Sequence, residues 1–175
     1  MNTYAGPNGH LTAFGHQLIE VHNWLRQELA RLREDVDSHH DGHAQWPREL
    51  RAHCLTFCSA VTRHHTGEDN GAFHALAEQF PELRPVLEEL TRDHHVVADM
   101  LRGLAKLLDL GPDPQDPQRV LRELDGLAAL LESHFFYEEK RIVTALNTLS
   151  APDWNGSPPD FLLSTAEGLD DQAGA

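Results

Sequence analysis

The sequence predicts an all-α protein, an antiparallel up-down four-helix bundle built from two helical hairpin repeats. Apolar residues recur at alternating intervals of three and four along four long stretches, which is the period of an amphipathic helix. Segments that contain proline or glycine separate these stretches. The second half of the chain also repeats motifs of the first, with His134 following His64 by 70 residues and His94 following His22 by 72. Together these observations favour two similar hairpins that share one interior.

The four predicted helices span residues 11–36, 47–80, 82–110 and 118–149. Pro47 suits the first turn of the second helix, and Gly67 and Gly71 are expected to distort it. Residues 37–45 are polar and form a loop, whereas 111–117 contain three prolines and cannot continue a helix. We therefore expect one bundle over residues 1–150. Residues 151–175 have the composition of a disordered acidic tail, although Phe161, Leu162 and Leu163 could dock on the bundle.

The composition excludes several classes of function. Fourteen Lys and Arg against 28 Asp and Glu give a formal charge of −14, which would repel nucleic acid and anionic lipid surfaces. No apolar run approaches the roughly 18 residues of a membrane span, and the N-terminus has no basic or apolar leader. Cys54 and Cys58 lie four apart on one predicted helix, as expected of reduced thiols in a core. The sequence thus predicts a cytoplasmic protein without a nucleic-acid or membrane partner.

Each of the four apolar stripes carries a histidine where a core residue is expected. Two of these histidines belong to His-x-x-x-Glu motifs, in which the two side chains lie on one face of a helix, one turn apart. An unpaired ionisable group in a core costs several kcal/mol, so groups placed there are normally paired or bound to a metal. The predicted interior ligands are His22, His64, Glu68, His94, His134 and Glu138.

Six such ligands indicate a metal centre with two ions. One core histidine is more often a hydrogen-bonded structural residue, but four imidazoles and two carboxylates without a metal would cost more than the core could offset. A structural zinc site uses four ligands, whereas carboxylates that span two ions suit iron. His16 lies about 120° from His22 around its helix, and we read His39, His40 and His43 as parts of a solvated loop.

The motifs His22-x-x-Leu25-Arg26, His64-x-x-x-Glu68-Asp69, Asp93-His94 and His134-x-x-x-Glu138-Glu139 resemble those of the hemerythrin family, specifically the bacterial, stand-alone HHE cation-binding domains. The resemblance covers about residues 11–149. It implies two iron ions joined by an oxo or hydroxo bridge, carboxylate bridges from Glu68 and Glu138, and terminal imidazoles from the four histidines. Ferritin-type proteins use Glu-x-x-His instead, and none of the four histidines has a glutamate three residues before it.

Two features depart from the oxygen carriers of that family. They place two histidines four apart on the third helix, whereas the residue four after His94 is Ala98. Their last motif also ends in an aspartate, which Glu138 and Glu139 replace. Either His65 or His95 supplies the missing imidazole as an additional ligand, or one coordination position is left to solvent.

The sequence is compatible with three functions. The first is decomposition of hydrogen peroxide or activation of oxygen at the di-iron centre, with Tyr137 as a candidate donor of a proton or hydrogen bond and an electron donor that the sequence does not identify. The second is reversible binding or sensing of O2 or NO. The third is iron storage or a structural metal. The incomplete carrier ligand set favours peroxide or oxygen chemistry.

Overall fold

The computed structural model describes residues 13–39, 45–155 and 159–162. Over these residues it is helical, with no strand, as the sequence predicts. The helices are α1 (Phe14–Ser38), α2 (Arg48–Gly67), α3 (Phe73–Gln79), α4 (Arg84–Leu110) and α5 (Arg119–Thr148). A π-helical turn, Glu68–Ala72, joins α2 to α3 without interruption, so the two make one of the four long helices of the bundle.

The bundle places a polar layer between two apolar layers. α1 packs mainly against α5 and also against α2, and α4 packs against α5. Leu25, Leu32 and their neighbours form one apolar cluster, and Leu18, Leu76 and theirs form the other. Burying each such side chain stabilises the fold by about 1.5–3 kcal/mol. Since the stripe histidines lie between these apolar positions along each helix, they meet in one layer of the interior.

The π-helical turn is the one irregularity in the four long helices over the described residues. It begins directly after Gly67 and contains Gly71, the two positions at which the sequence predicts a distortion. Glycine is a weak helix former, and single π turns recur at functional sites. Glu68 is the first residue of this turn, so the irregularity lies at a predicted metal ligand.

The residues after α5 differ from the predicted disordered tail. Pro152–Asn155 and Asp160–Leu162 are short 3-10 helices, and Phe161 and Leu162 are buried. The ring of Trp154 contacts the rings of Phe14 and Phe161 edge-on. The tail prediction is therefore wrong for residues 151–155 and 159–162, because a few large apolar side chains are enough to dock a segment whose overall composition is polar. Leu163 and the residues after it lie outside the described part.

Within the described ranges, no helix has both the length and the apolar character that crossing a bilayer requires.

Candidate metal centre

The six predicted side chains converge in the polar layer of the bundle. Each is 3 % exposed or less. The Nε2 atoms of His22 and His64 lie 3.0 Å apart, and those of His94 and His134 lie 3.1 Å apart. The layer thus contains two pairs of imidazoles, one from each hairpin of the chain.

Each glutamate contacts both pairs of imidazoles. Glu68 places Oε1 3.2 Å from Nε2 of His64 and Oε2 3.4 Å from Nε2 of His94. Glu138 places Oε2 3.4 Å from Nε2 of both His22 and His134. Two ligand atoms bound at about 2.1 Å and at right angles to each other would be about 3 Å apart. These contacts therefore have the distance expected between neighbouring ligand atoms of one metal ion. Each carboxylate contacts one imidazole of each pair.

The outward nitrogen of each paired imidazole donates a hydrogen bond to an oxygen that can only accept. Such bonds orient a ligating imidazole and fix its tautomer, because the proton must then lie on Nδ1. The four Nδ1 contacts are His22 with Glu139 Oε1 at 2.9 Å, His64 with the Phe161 carbonyl at 2.9 Å, His94 with Asp69 Oδ1 at 2.8 Å, and His134 with Asp93 Oδ2 at 3.3 Å.

This arrangement fits a cation. A neutral imidazole with its proton on Nδ1 directs the lone pair of Nε2 inward, so each pair points two lone pairs at one region across 3.0–3.1 Å. Among the described residues, the carboxylate oxygens of Glu68 and Glu138 also lack hydrogen-bond partners. Buried acceptors without donors are costly, and a metal ion beside each pair of imidazoles would satisfy these nitrogen and oxygen atoms.

Burial sets the protonation of these groups. It lowers the pKa of His64 to about 3 and of His134 to about 4, and it lowers that of His22 well below the ordinary value. The same burial raises the pKa of Glu138 to about 8 and that of Glu68 well above its ordinary value. These three imidazoles are therefore neutral and able to bind metal at neutral pH, whereas the two carboxylates become charged readily only beside a cation.

A comparison with protein-family models matches residues 14–146 to the Hemerythrin HHE cation binding domain. The chain belongs to this family. The match contains all six converging side chains, and the family together with the clustered His and Glu residues indicates a metal site. Comparisons with curated proteins and with solved structures found no match.

This HHE domain has a fifth imidazole in its centre, that of His65. The side chain is 5 % exposed and stacks on the ring of His94, with centroids 3.9 Å apart and an interplanar angle of 10°. Its Nε2 has no hydrogen-bond partner in the described part of the chain. Ligand atoms of His65, His94 and His134 lie within 4.8 Å of one another. Of the two additional candidates, the structure thus brings His65 into the cluster, whereas His95 is exposed on α4.

The seven side chains of this HHE domain include two groups that could each hold a metal ion, and the groups differ in their imidazoles. The second group contains His22 and His64 together with the two glutamates. Phe135 is the counterpart of His65 in the repeat, and it stacks on His22 as His65 stacks on His94, with centroids 4.0 Å apart and an interplanar angle of 17°. A phenyl ring cannot bind a metal, so the His22 group contains two imidazoles, whereas the group of His65, His94 and His134 contains three.

Tyr137 does not face the cluster. Its hydroxyl donates a hydrogen bond to Glu89 Oε2 at 2.6 Å, and the guanidinium of Arg141 lies over its ring. The structure therefore places the candidate proton donor of the sequence interpretation on the outer face, between α4 and α5.

Sequence reasoning missed the partners that orient the imidazoles. Asp69 and Glu139 each follow a motif glutamate directly, and this recurrence in both halves of the chain was a usable signal. Asp93 directly precedes His94 but bonds with His134 across the bundle, which spacing along one helix does not reveal. Nothing in the pattern singled out the backbone carbonyl of Phe161.

Proposed function

We propose that this HHE domain holds two iron ions. His22 and His64 bind one, His65, His94 and His134 bind the other, and Glu68 and Glu138 are shared between them. The convergence of unsatisfied nitrogen and oxygen donors supports this assignment. Imidazole together with bridging carboxylate is a donor set typical of paired iron.

The function that we infer is the decomposition of hydrogen peroxide. The observation that carries it is Phe135 on the His22 side, where a further imidazole would complete the ligand set. One coordination position is thereby left without a protein ligand, and a small oxygen species can bind there. In this reaction one peroxide molecule is oxidised to O2 and another is reduced to two water molecules, so no separate electron donor is needed. The bound iron ions would supply the two-electron exchange.

The side chains around this position bind, orient and exclude water. Glu139 accepts the Nδ1 proton of His22 and also an N–H of Arg26 at 2.9 Å, and Arg26 donates in turn to the exposed Glu132 at 2.8 Å. This chain of contacts holds His22 in place and links it to the surface. Phe135 covers the inner side of His22 with an apolar ring, which keeps bulk water away from the open position.

Reversible binding of O2 or NO is the second candidate. It is favoured by the position of Tyr137, whose hydroxyl bonds with Glu89 outside the cluster and is therefore not aimed at a bound species. Peroxide decomposition moves protons as well as electrons, and a binding site with apolar walls stabilises an uncharged gas without supplying protons.

Metal analysis and peroxide turnover of one preparation test both candidates. We expect about two iron atoms per chain, near-ultraviolet bands of a diferric pair, and O2 release from hydrogen peroxide that exceeds the release by an equal concentration of free iron. A reduced protein that forms a long-lived O2 adduct and does not consume peroxide would favour the second candidate. A chain that holds iron but does neither would indicate storage or a structural metal, and a chain without iron would contradict the assignment.

A further inference from the structure

The Nδ1 atom of His64 differs from its three counterparts in the kind of oxygen that it contacts. It lies 2.9 Å from the carbonyl oxygen of Phe161, in a buried contact that joins residues 97 positions apart. The other three outward nitrogens contact carboxylates. Phe161 lies beyond residues 14–146, which match the family model.

The repeat shows why the first hairpin needs this carbonyl. In the second hairpin, Asp93 accepts the hydrogen bond of His134 from the position directly before His94. The corresponding residue, directly before His22, is Val21, which has no acceptor in its side chain. The Phe161 carbonyl therefore has the role for His64 that Asp93 has for His134.

A glycine on α2 makes room for the segment. A Cβ atom at Gly67 would lie 2.9 Å from the backbone nitrogen of Phe161 and 3.1 Å from its Cβ. The repeat counterpart of Gly67 is Tyr137, so the helical pattern itself does not require a small residue there. At Gly71, one turn further on, an added Cβ would meet nothing within 4 Å.

The segment itself is held firmly against the bundle. The side chain of Phe161 is completely buried, and the 3-10 helix packs on α1 and α2. The Leu162 N–H bonds with the Pro159 carbonyl at 2.9 Å, which fixes the direction of the carbonyls within this turn. Burial of Phe161 and this hydrogen bond therefore hold the acceptor in place beside His64.

We propose that residues 159–162 are a positioning element of the metal centre. The Phe161 carbonyl holds the ring of His64 with its proton on Nδ1 and its Nε2 toward the metal, and Gly67 allows the segment to approach that closely. The inference rests on the proposed function, in that it takes His64 as an iron ligand. Loss of such an outer hydrogen bond typically weakens metal binding 10–100-fold.

The first test displaces the segment from α2. Gly67→Ala should push Phe161 away, and Gly71→Ala is the matched control with an identical change in open space. Three quantities are measured on the full chain: the rate of iron loss to a chelator, the melting temperature, and, by NMR of the zinc-loaded protein, the solvent exchange of the His64 Nδ1 proton. We expect Gly67→Ala to lose iron 10–100 times faster and to exchange this proton faster, with Gly71→Ala unchanged in both.

The second test rotates the carbonyl without touching α2. A proline at 162 removes the N–H that bonds with Pro159 and forces Phe161 out of the helical conformation, which turns its carbonyl. Leu162→Ala loses apolar contacts but keeps the backbone, so it measures what lost packing does alone. We expect faster iron loss and faster proton exchange in Leu162→Pro than in Leu162→Ala.

The outcomes separate this inference from the proposed function. An unaltered chain that retains no iron would overturn both. If the unaltered chain binds iron and each variant matches its control in iron loss and proton exchange, this inference alone is wrong. Iron loss that follows the melting temperature across all four variants would likewise overturn it, because the segment would then act through general stability.

Discussion

At the scale of single residues, one difference between equivalent positions makes the centre asymmetric. His65 and Phe135 occupy the same place in the two hairpins and stack on equivalent imidazoles, but only the first can bind a metal. The two side chains are both flat aromatic rings, so the packing of the layer is preserved while the number of ligands changes. In the proposed assignment, the open coordination position is therefore a property of residue 135.

Phe135→His should close that position. We expect the variant to keep its iron, because a further ligand is added and none is removed, and to lose at least nine tenths of its peroxide turnover. Phe136→His is the control, since Phe136 is 64 % exposed and lies next to the same residue. Turnover is measured as O2 release. Full activity in Phe135→His would place the reacting position elsewhere.

His65→Leu should weaken iron binding at the position proposed for His65, His94 and His134. The variant removes one of three imidazoles from the group that includes His94 and His134, so we expect iron content to fall toward one atom per chain. His95→Leu changes an exposed residue of the same type and should leave both irons in place. Metal analysis of the two purified variants decides the matter, and equal iron content would exclude His65 as a ligand.

The convergence of the six interior side chains could be predicted because each replaces an apolar residue in a regular helical stripe. His65 could not be separated from His95 in the same way, since both lie about 100° from a ligand at the edge of a stripe. The choice depends on how neighbouring helices are rotated. That rotation buries His65 against His94 and leaves His95 in solvent.

At the scale of elements, the docked segment after α5 behaves as a part of the core. Composition suggested disorder because prolines, glycines and acids dominate residues 151–175. Trp154 nevertheless contacts both Phe161 and Phe14, the first residue of α1, through its ring. Average composition could not reveal this docking. One or two large aromatic rings bury enough apolar area to hold the segment in place, even though most of the residues around them are polar.

Deletion of residues 151–175 should therefore lower the melting temperature. Removing a buried Phe side chain typically costs about 3–5 kcal/mol, and each kcal/mol shifts the melting temperature of a chain of this size by about 2–4 °C. A fall of roughly 10 °C is expected in circular dichroism melts. Deletion of residues 163–175 alone serves as the control, which keeps Phe161 and Trp154. If both deletions melt like the full chain, the docking contributes nothing to stability.

At the scale of the whole molecule, the buried centre should govern how stability depends on pH. Burial lowers the pKa values of His22, His64, His65 and His134 from an ordinary 6.5, so their contribution to stability is lost as pH falls below that value. Burial raises the pKa values of both glutamates from 4.5, and to about 8 for Glu138, so their contribution is lost as pH rises through that window.

The metal-free protein should consequently melt at its highest temperature near pH 6.5. Below pH 6.5, the stability lost through the four imidazoles as pH falls is larger than the stability regained through the two glutamates. Above pH 6.5, only the glutamates change the stability, and they lower it as pH rises. Bound iron compensates the carboxylate charge, so the loss of stability between about pH 6.5 and 8 should disappear in the iron-loaded protein. Melting temperatures of both forms from pH 5 to 9 test this. If the melting temperature of the iron-loaded protein falls above pH 6.5 as steeply as that of the metal-free protein, the prediction is wrong.

The correspondence between the hairpins has a consequence for the ancestry of the chain. His22 in the first half bonds with Glu139 in the second, and His94 in the second half bonds with Asp69 in the first. Each half therefore supplies the acid that orients one histidine of the other half. A polypeptide of half this length could thus have built the same interior by pairing with a second copy of itself about a two-fold axis. Such a homodimer would have had two identical metal positions. Fusion of the two copies is what would allow residues 65 and 135 to diverge, and with them the two metals to become chemically distinct.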